Sequence, residues 1–213
     1  MKKSTLFLIL AIALFIILRG YLPDNSEGGF TKEERMLIRD SEAGRLAPSD
    51  SVPEGTMRVL TVEDSLDMAI LRNVSSYLSP RSIRSNDFMT LCRLMLQTVT
   101  HPSQDGVGLA APQVGLNRRV IAVQRFDKEG EPFEVYPNIR LVWASDSLSS
   151  GPEGCLSVPG RRGDVLRSNE IVVEYSLVRH PSWSVRDTIR GYTAVIFQHE
   201  LDHLDGILYT DRL

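Results

Sequence analysis

The run His199-Glu200-Leu201-Asp202-His203 combines the residue types and spacing that metal-assisted hydrolysis needs. Histidines four apart on a helix stack on one side about one turn apart, so both imidazoles can reach one ion. Glu200 is rotated about 100° from His199, close enough to touch a water on that ion without becoming a ligand. The alternative is a charged helix facing solvent. It fits less well, because both histidines share a side with Val195 and Ile196, where an unpaired imidazole would be costly.

Two histidines leave such a site incomplete, so a third protein ligand is needed. Zinc peptidases with this motif take it from a later glutamate or histidine, but only ten residues follow His203 here. Outside the carboxylates the chain offers His101, His180, Cys92 and Cys155. Cys92 sits among Leu91, Leu94, Met95 and Leu96 and reads as a small buried hydrophobe. Cys155 follows Glu153-Gly154 in a Gly/Pro-rich stretch, where glycine permits a tight approach of backbone to metal. Cys155 is therefore the expected third ligand, as a thiolate. A set of nitrogen and sulfur donors does not by itself choose the metal.

The elements that must position these residues are partly legible. Phe88, Leu91, Cys92, Met95 and Val99 recur at steps of three and four and predict a helix from about Asn86 to Val99, capped by Ser85 or Asn86. Strands are expected at Arg58–Val62, Arg119–Gln124, Phe133–Tyr136, Ile139–Ala144, Glu170–Leu177 and Ser184–Tyr192, with a hairpin turn at Asp127–Gly130. Ser145 to Gly163 reads as a long loop around Cys155, and Asp64 to Tyr77 shows only scattered apolar positions. Gly191 punctuates the switch into a last helix from about Thr193 to Leu204. Antiparallel strands around a late metal-binding helix predict an α+β domain rather than a doubly wound sheet.

Three segments, taken together, resemble the peptide deformylases. They are Gly106-Val-Gly-Leu-Ala-Ala-Pro-Gln113, Glu153-Gly-Cys-Leu-Ser157 and Gln198-His-Glu-Leu-Asp-His-Leu-Asp-Gly206, and the resemblance extends over about Met57 to Leu213. It implies an α+β fold and removal of the formyl group from the N-terminal methionine of new proteins. It also implies metal ligands Cys155, His199 and His203, with iron(II) the expected ion and zinc or nickel able to take its place. Glu200 would take a proton from water, and the resulting hydroxide would attack the formyl carbon. Gln113 and the backbone N–H of Leu156 would meet the oxyanion. The peptide would run along Val107, Gly108 and Pro159, with Arg162 near its far end. Val195 and Tyr192 would help to form the methionine pocket, although core packing is the plain alternative for both. Tyr136-Pro137-Asn138 stands where relatives often have Asn-Pro, which predicts a local adjustment of the sheet.

Composition sets the outer bounds. The 213 residues, 42 % hydrophobic and 24 % charged with a net charge of -3, fit one domain with an appendage. That balance does not suggest direct nucleic-acid binding. The pairs Arg118-Arg119 and Arg161-Arg162 read as solvated surface. Lys2 and Lys3 precede an uncharged run from Ser4 to Leu18, closed by Arg19. Residues 1–19 are expected to be a membrane anchor, a cleaved signal or a buried start, the run being shorter than the roughly 20 residues of a comfortable span. With an anchor or signal, the charge bias places the body outside, whereas deformylases work on chains emerging from ribosomes in the cytoplasm. Residues 20–56 read as a polar arm with one short helix, capped by Thr31 and Glu34, in which Met36-Leu37-Ile38 makes a small contact with the body. Two rival readings differ from a deformylase: a membrane-associated or exported amidohydrolase for other N-formyl or N-acyl peptides, and a tethered metal-binding module. The second has no need of Gln113 and Glu200.

Overall fold

Thr31 and Glu34 form the expected capping box in this computed structural model, which describes residues 28–45, 52–53 and 55–213. They open helix α1, Lys32–Glu42. The Asp64 carboxylate caps a seven-residue helix α2, Ser65–Leu71, and Ser79 caps a single turn α3, Pro80–Ile83. Ser85 caps α4, Asn86–Val99, whose Phe88, Leu91, Leu94, Met95 and Val99 are buried. The strands are β1 Gly108–Ala110, β2 Val120–Gln124, β3 Phe133–Pro137, β4 Arg140–Ala144, β5 Leu148–Cys155, β6 Val158–Ser168, β7 Glu170–Ser176 and β8 Ser184–Arg190, followed by helix α5, Gly191–Leu204. Short 3-10 turns cover Ala111–Val114 and Tyr209–Arg212.

All strand pairings within the sheets are antiparallel, in the orders β1-β2-β3, β4-β7-β8 and β5-β6. The alternation of β2 decides the layering. Val120 and Ala122 face the cluster of α4, while Ile121 and Val123 face the cluster built on α5, as a period of two requires. Ala194, Ile196, Phe197, Leu201 and Leu204 of α5 pack with Ile171 and Val173 of β7 and Ile189 of β8. The metal-motif helix thus lies between the two three-stranded sheets, in an α+β fold as expected.

Several local expectations need correction. Arg58–Val62 forms no strand. It is tied instead by single bonds from the Leu60 N–H to the Gln113 carbonyl (2.8 Å) and from the Val62 N–H to the Ser157 carbonyl (2.9 Å), and Val62 already lies in a turn. Ser145–Gly163 is no loop, because β5 and β6 pair from Leu148–Ser168 to Cys155–Val158. Much of that hairpin is exposed on both faces, so no apolar alternation marked it. Gly191 and Tyr192 belong to α5 rather than to the strand before it. Arg118 and Arg119 are buried, paired with Glu34 and Asp205. Asn138 takes the left-handed conformation (φ 56°), and its side chain bonds to the Leu78 N–H and carbonyl.

The polar arm is also more engaged than its composition suggested. Phe30 and Ile38 lie in the same buried cluster as Phe88 and Leu91. Met36 alone of its apolar trio is exposed. Among the described residues, no helix is long and apolar enough to cross a membrane. The expected signal or anchor, residues 1–19, lies outside the described residues.

Candidate metal centre

Two elements far apart in the chain build the site. α5 presents His199, Glu200 and His203, all buried, and the two imidazole rings lie 5.1 Å apart, centroid to centroid. The tip of the β5–β6 hairpin presents Cys155. Pairing jumps there from Gly154–Arg162 to Cys155–Val158, so Pro159, Gly160 and Arg161 are looped out, with Gly160 at φ 70°. The Leu156-Ser157 turn plugs inward, Ser157 being fully buried. One ligand atom each from Cys155, His199 and His203 lies within 4.8 Å of the others, and Cys155 Sγ is 3.1 Å from His203 Nε2.

This donor set suits a divalent cation. Burial opposes a charge on Cys155, but His203 and His199 outweigh it and hold the thiol well below its usual range. Burial opposes a charge on His199 too, yet Cys155 and Glu153 push its pKa up to about 10. The cluster therefore concentrates a thiolate and the protons that neutralise it, and a bound metal takes the place of those protons. Bonds of about 2.0–2.3 Å to nitrogen and sulfur can be met by donors at these separations.

A second layer fixes the ligands. His199 Nδ1 lies 2.7 Å from Glu153 Oε2, which leaves Nε2 for a metal. Glu153 also accepts from the buried Arg167 at 2.7 and 3.0 Å, and Arg167 donates to Asp202 at 2.6 Å. Burial works against the Glu153 charge, but the Arg167 and His199 bonds prevail and hold its carboxyl down at about 2. Tyr209 stacks on the His199 ring at 6.0 Å. Glu153 and Asp202 stand inside segments that the sequence singled out, without a role of their own. No local pattern marked Arg167 or Tyr209.

A cleft of about 900 Å³ opens over the donors. It brings together Gln113, Cys155, Leu156, His199 and Glu200 with Val107, Gly108, Pro159, Arg162, Tyr192 and Val195. His203 is the expected site residue absent from its lining, buried beneath it. Val195 is half-buried and Tyr192 exposed beside Phe126, so neither is a core residue. Sequence reasoning missed Gln104, Asp105, Arg161 and Ile196 of the same lining. The Gln113 amide is oriented from both ends. Its Oε1 accepts from the Ala110 N–H at 2.8 Å, and its Nε2 donates to Ser157 Oγ at 3.2 Å and reaches Cys155 Sγ at 3.5 Å. His101 binds Ser103 and His180 stacks on Trp183; neither joins the donor group.

A buried carboxylate beside a thiolate and two imidazoles, on the floor of an open cleft in an α+β scaffold, defines a metal-dependent hydrolase. A family model described as polypeptide deformylase matches residues 57–213. The chain belongs to that family of enzymes, which hydrolyse the formyl group from an N-terminal methionine. It is 39% identical over 154 residues to the peptide deformylase of Leptospira biflexa, covering 68% of this chain and 82% of that protein. Among solved structures it is similar to the Acinetobacter baumannii class I type b peptide deformylase bound to Met-Ala-Ser, with a TM-score of 0.65 and 32% identity over 74% of this chain and 98% of that one. The Thermotoga maritima peptide deformylase gives a TM-score of 0.64 and 30% identity over 74% and 97% of the two chains.

Proposed function

We propose that deformylation runs here with Glu200 as the proton carrier, beside a metal held by Cys155, His199 and His203. One observation carries this assignment. The Glu200 carboxylate is buried against the cleft, and its Oε2 has no hydrogen-bond partner among the described residues. Burial pushes its pKa up to about 7, against the pull of His199 and His203. A carboxylate so placed can take and return a proton near neutrality.

The metal, when bound, supplies Lewis-acid activation of water and polarisation of the formyl carbonyl. Glu200 accepts the proton that the attacking water loses. It then passes that proton to the departing methionine nitrogen, leaving formate and a free N-terminus. The Gln113 Nε2 and the Leu156 N–H are assigned to the developing oxyanion. The Ala110 and Ser157 bonds spare Gln113 a search through rotamers during the reaction.

An extended peptide is proposed to pair with backbone at Val107, Gly108 and Pro159, with its methionine against Leu156, Val195 and Tyr192 and its far end near Arg162. The Met-Ala-Ser complex of the Acinetobacter enzyme supports this class of ligand. N-formyl-methionyl peptides are the proposed substrate, supplied by chains emerging from ribosomes where the body faces the cytoplasm, with no direct contact to nucleic acid. Iron(II) is the proposed ion, and zinc or nickel suits the same donors. Residues 57–213 are proposed as the catalytic domain, 20–56 as its arm and 1–19 as the signal or membrane-associating segment.

The Glu200→Gln variant tests the assignment. It is expected to keep its metal by elemental analysis and to lose formate release from formyl-Met-Ala-Ser by at least about 100-fold. Unchanged turnover would reject Glu200 as the proton carrier.

A further inference from the structure

Five arginines among the described residues form no ion pair with a described carboxylate: Arg81, Arg84, Arg161, Arg162 and Arg179. Arg161 and Arg162 line the catalytic cleft. The other three share a different place. Asn138 ties their segments together, bonding to the Leu78 N–H and carbonyl at 2.7 and 2.8 Å and to Ser176 Oγ at 3.3 Å. From Leu78 the chain enters α3, with Arg81 and Arg84 exposed beyond it. From Ser176 it enters the β7–β8 turn, which exposes Arg179, His180 and Trp183. Trp183 is 66% exposed, and the His180 ring stacks on it at 5.2 Å. Nearby carboxylates are already engaged, Asp87 with Arg39 and Glu174 with Arg140 and Arg186.

The N-terminal segment arrives at this same face. The Gly28 carbonyl accepts from the Ser79 N–H at 2.9 Å, one residue before α3. Eight residues separate Arg19, which closes the uncharged Ser4–Leu18 run, from Gly28. At full extension such a length spans no more than about 30 Å. Wherever the apolar run enters a bilayer, the face bearing Arg81, Arg84, Arg179 and Trp183 is held within that distance of it. Basic side chains and an exposed indole are what an anionic bilayer surface takes up, the first by charge and the second at headgroup level.

We propose that this face, formed by α3 and the β7–β8 turn, docks on an anionic lipid surface and orients the enzyme there. The cleft remains free in this arrangement. Tyr192, at its edge, follows the far end of β8, and the seven residues of that strand separate it from the turn by about 20 Å. Peptides can then enter while the body is docked.

The full-length chain tests this on vesicles. In a Trp143→Phe background Trp183 is the one indole left, since the chain has two tryptophans. On vesicles rich in phosphatidylglycerol its emission is expected to shift to the blue and be quenched by shallow brominated lipids. On pure phosphatidylcholine vesicles no such change is expected. The combined variant R81Q, R84Q and R179Q should reduce the quenched fraction at least about fivefold, with formate release in solution unchanged. Unshifted Trp183 emission on protein that co-sediments with anionic vesicles would overturn the proposal. So would wild-type quenching in the combined variant, or retention by RNA in place of anionic vesicles.

Discussion

Gly108 and Glu200 face each other so closely that a methyl group on the first would overlap the carboxylate of the second. A Cβ there would also lie 2.9 Å from Ile196 Cγ2. The β1 glycine therefore sets the depth at which the helix can hold its acid. Gly108→Ala is expected to move the carboxylate by a fraction of an ångström to an ångström and to lower kcat by about 100-fold. Metal content should stay at wild-type level. Steady-state formate release alongside elemental analysis checks this, and an unchanged kcat would contradict it.

Glu153 serves His199 and Arg167 at once. Glu153→Gln removes the charged acceptor that orients the imidazole, so metal affinity should fall about 10- to 100-fold. Competition with a chelator of known affinity measures it. A variant that holds metal as tightly as wild type would show that the His199 ring is oriented by the Tyr209 stack instead.

The same residue predicts an acid limit. Its folded pKa, about 2, lies below the ordinary 4.5, so the unfolded chain binds the proton more readily. Its contribution to stability is then complete above about pH 4.5 and is lost as pH falls toward about 2. Melting temperatures across that window should drop, and Arg167→Gln should move the drop to higher pH. A flat profile, or one that Arg167→Gln does not move, would contradict the pairing.

Ile38 of α1 is fully buried in the cluster of α4, although it lies outside the span 57–213 that matches the family. Ile38→Ala should cost about 2–5 kcal/mol of folding stability, read as a lower urea midpoint. Leu37 adds a second contact, since a Cβ on Gly115 would come 3.1 Å from its Cδ2. Gly115 follows the turn that carries Gln113, so α1 braces the site from behind. A midpoint unchanged by Ile38→Ala would mean that α1 is only laid on the surface.

The parts of the molecule that were legible from the sequence are those where one residue type has one use. The histidine pair, the glutamate between them and the cysteine beside glycine read directly as candidate donors and acid, and the structure brings these four residues together. The apolar stripe of α4 gave that helix within a residue of its true bounds. The β5–β6 hairpin was illegible for a physical reason: much of it is exposed on both faces, so glycine, proline and serine occupy it as they would a loop. Arg118 and Arg119 misled in the opposite sense. Adjacent arginines usually lie in solvent, and only the partners Glu34 and Asp205, far away in sequence, make their burial tolerable. Arg167 shows the same limit, since its two carboxylates are 14 and 35 residues away.

Cys155 and His203 are 48 residues apart, and only the histidine stands on an element anchored deep in the core. A metal shared between them would act as a clasp across that stretch. Opening it leaves α5 seated by Phe197, Leu201 and Leu204, while the hairpin keeps only the packing of Leu156, Val158 and Val165 near its tip, and its exposed stretch from Pro159 to Arg162 has no apolar cover to hold it down. Amide hydrogen exchange should therefore report metal loss in the tip of β5 and β6, with α5 almost silent. The cleft wall that carries Pro159 and Arg162 would loosen with it. Demetallation would then blur the peptide's path as well as remove the reactive ion.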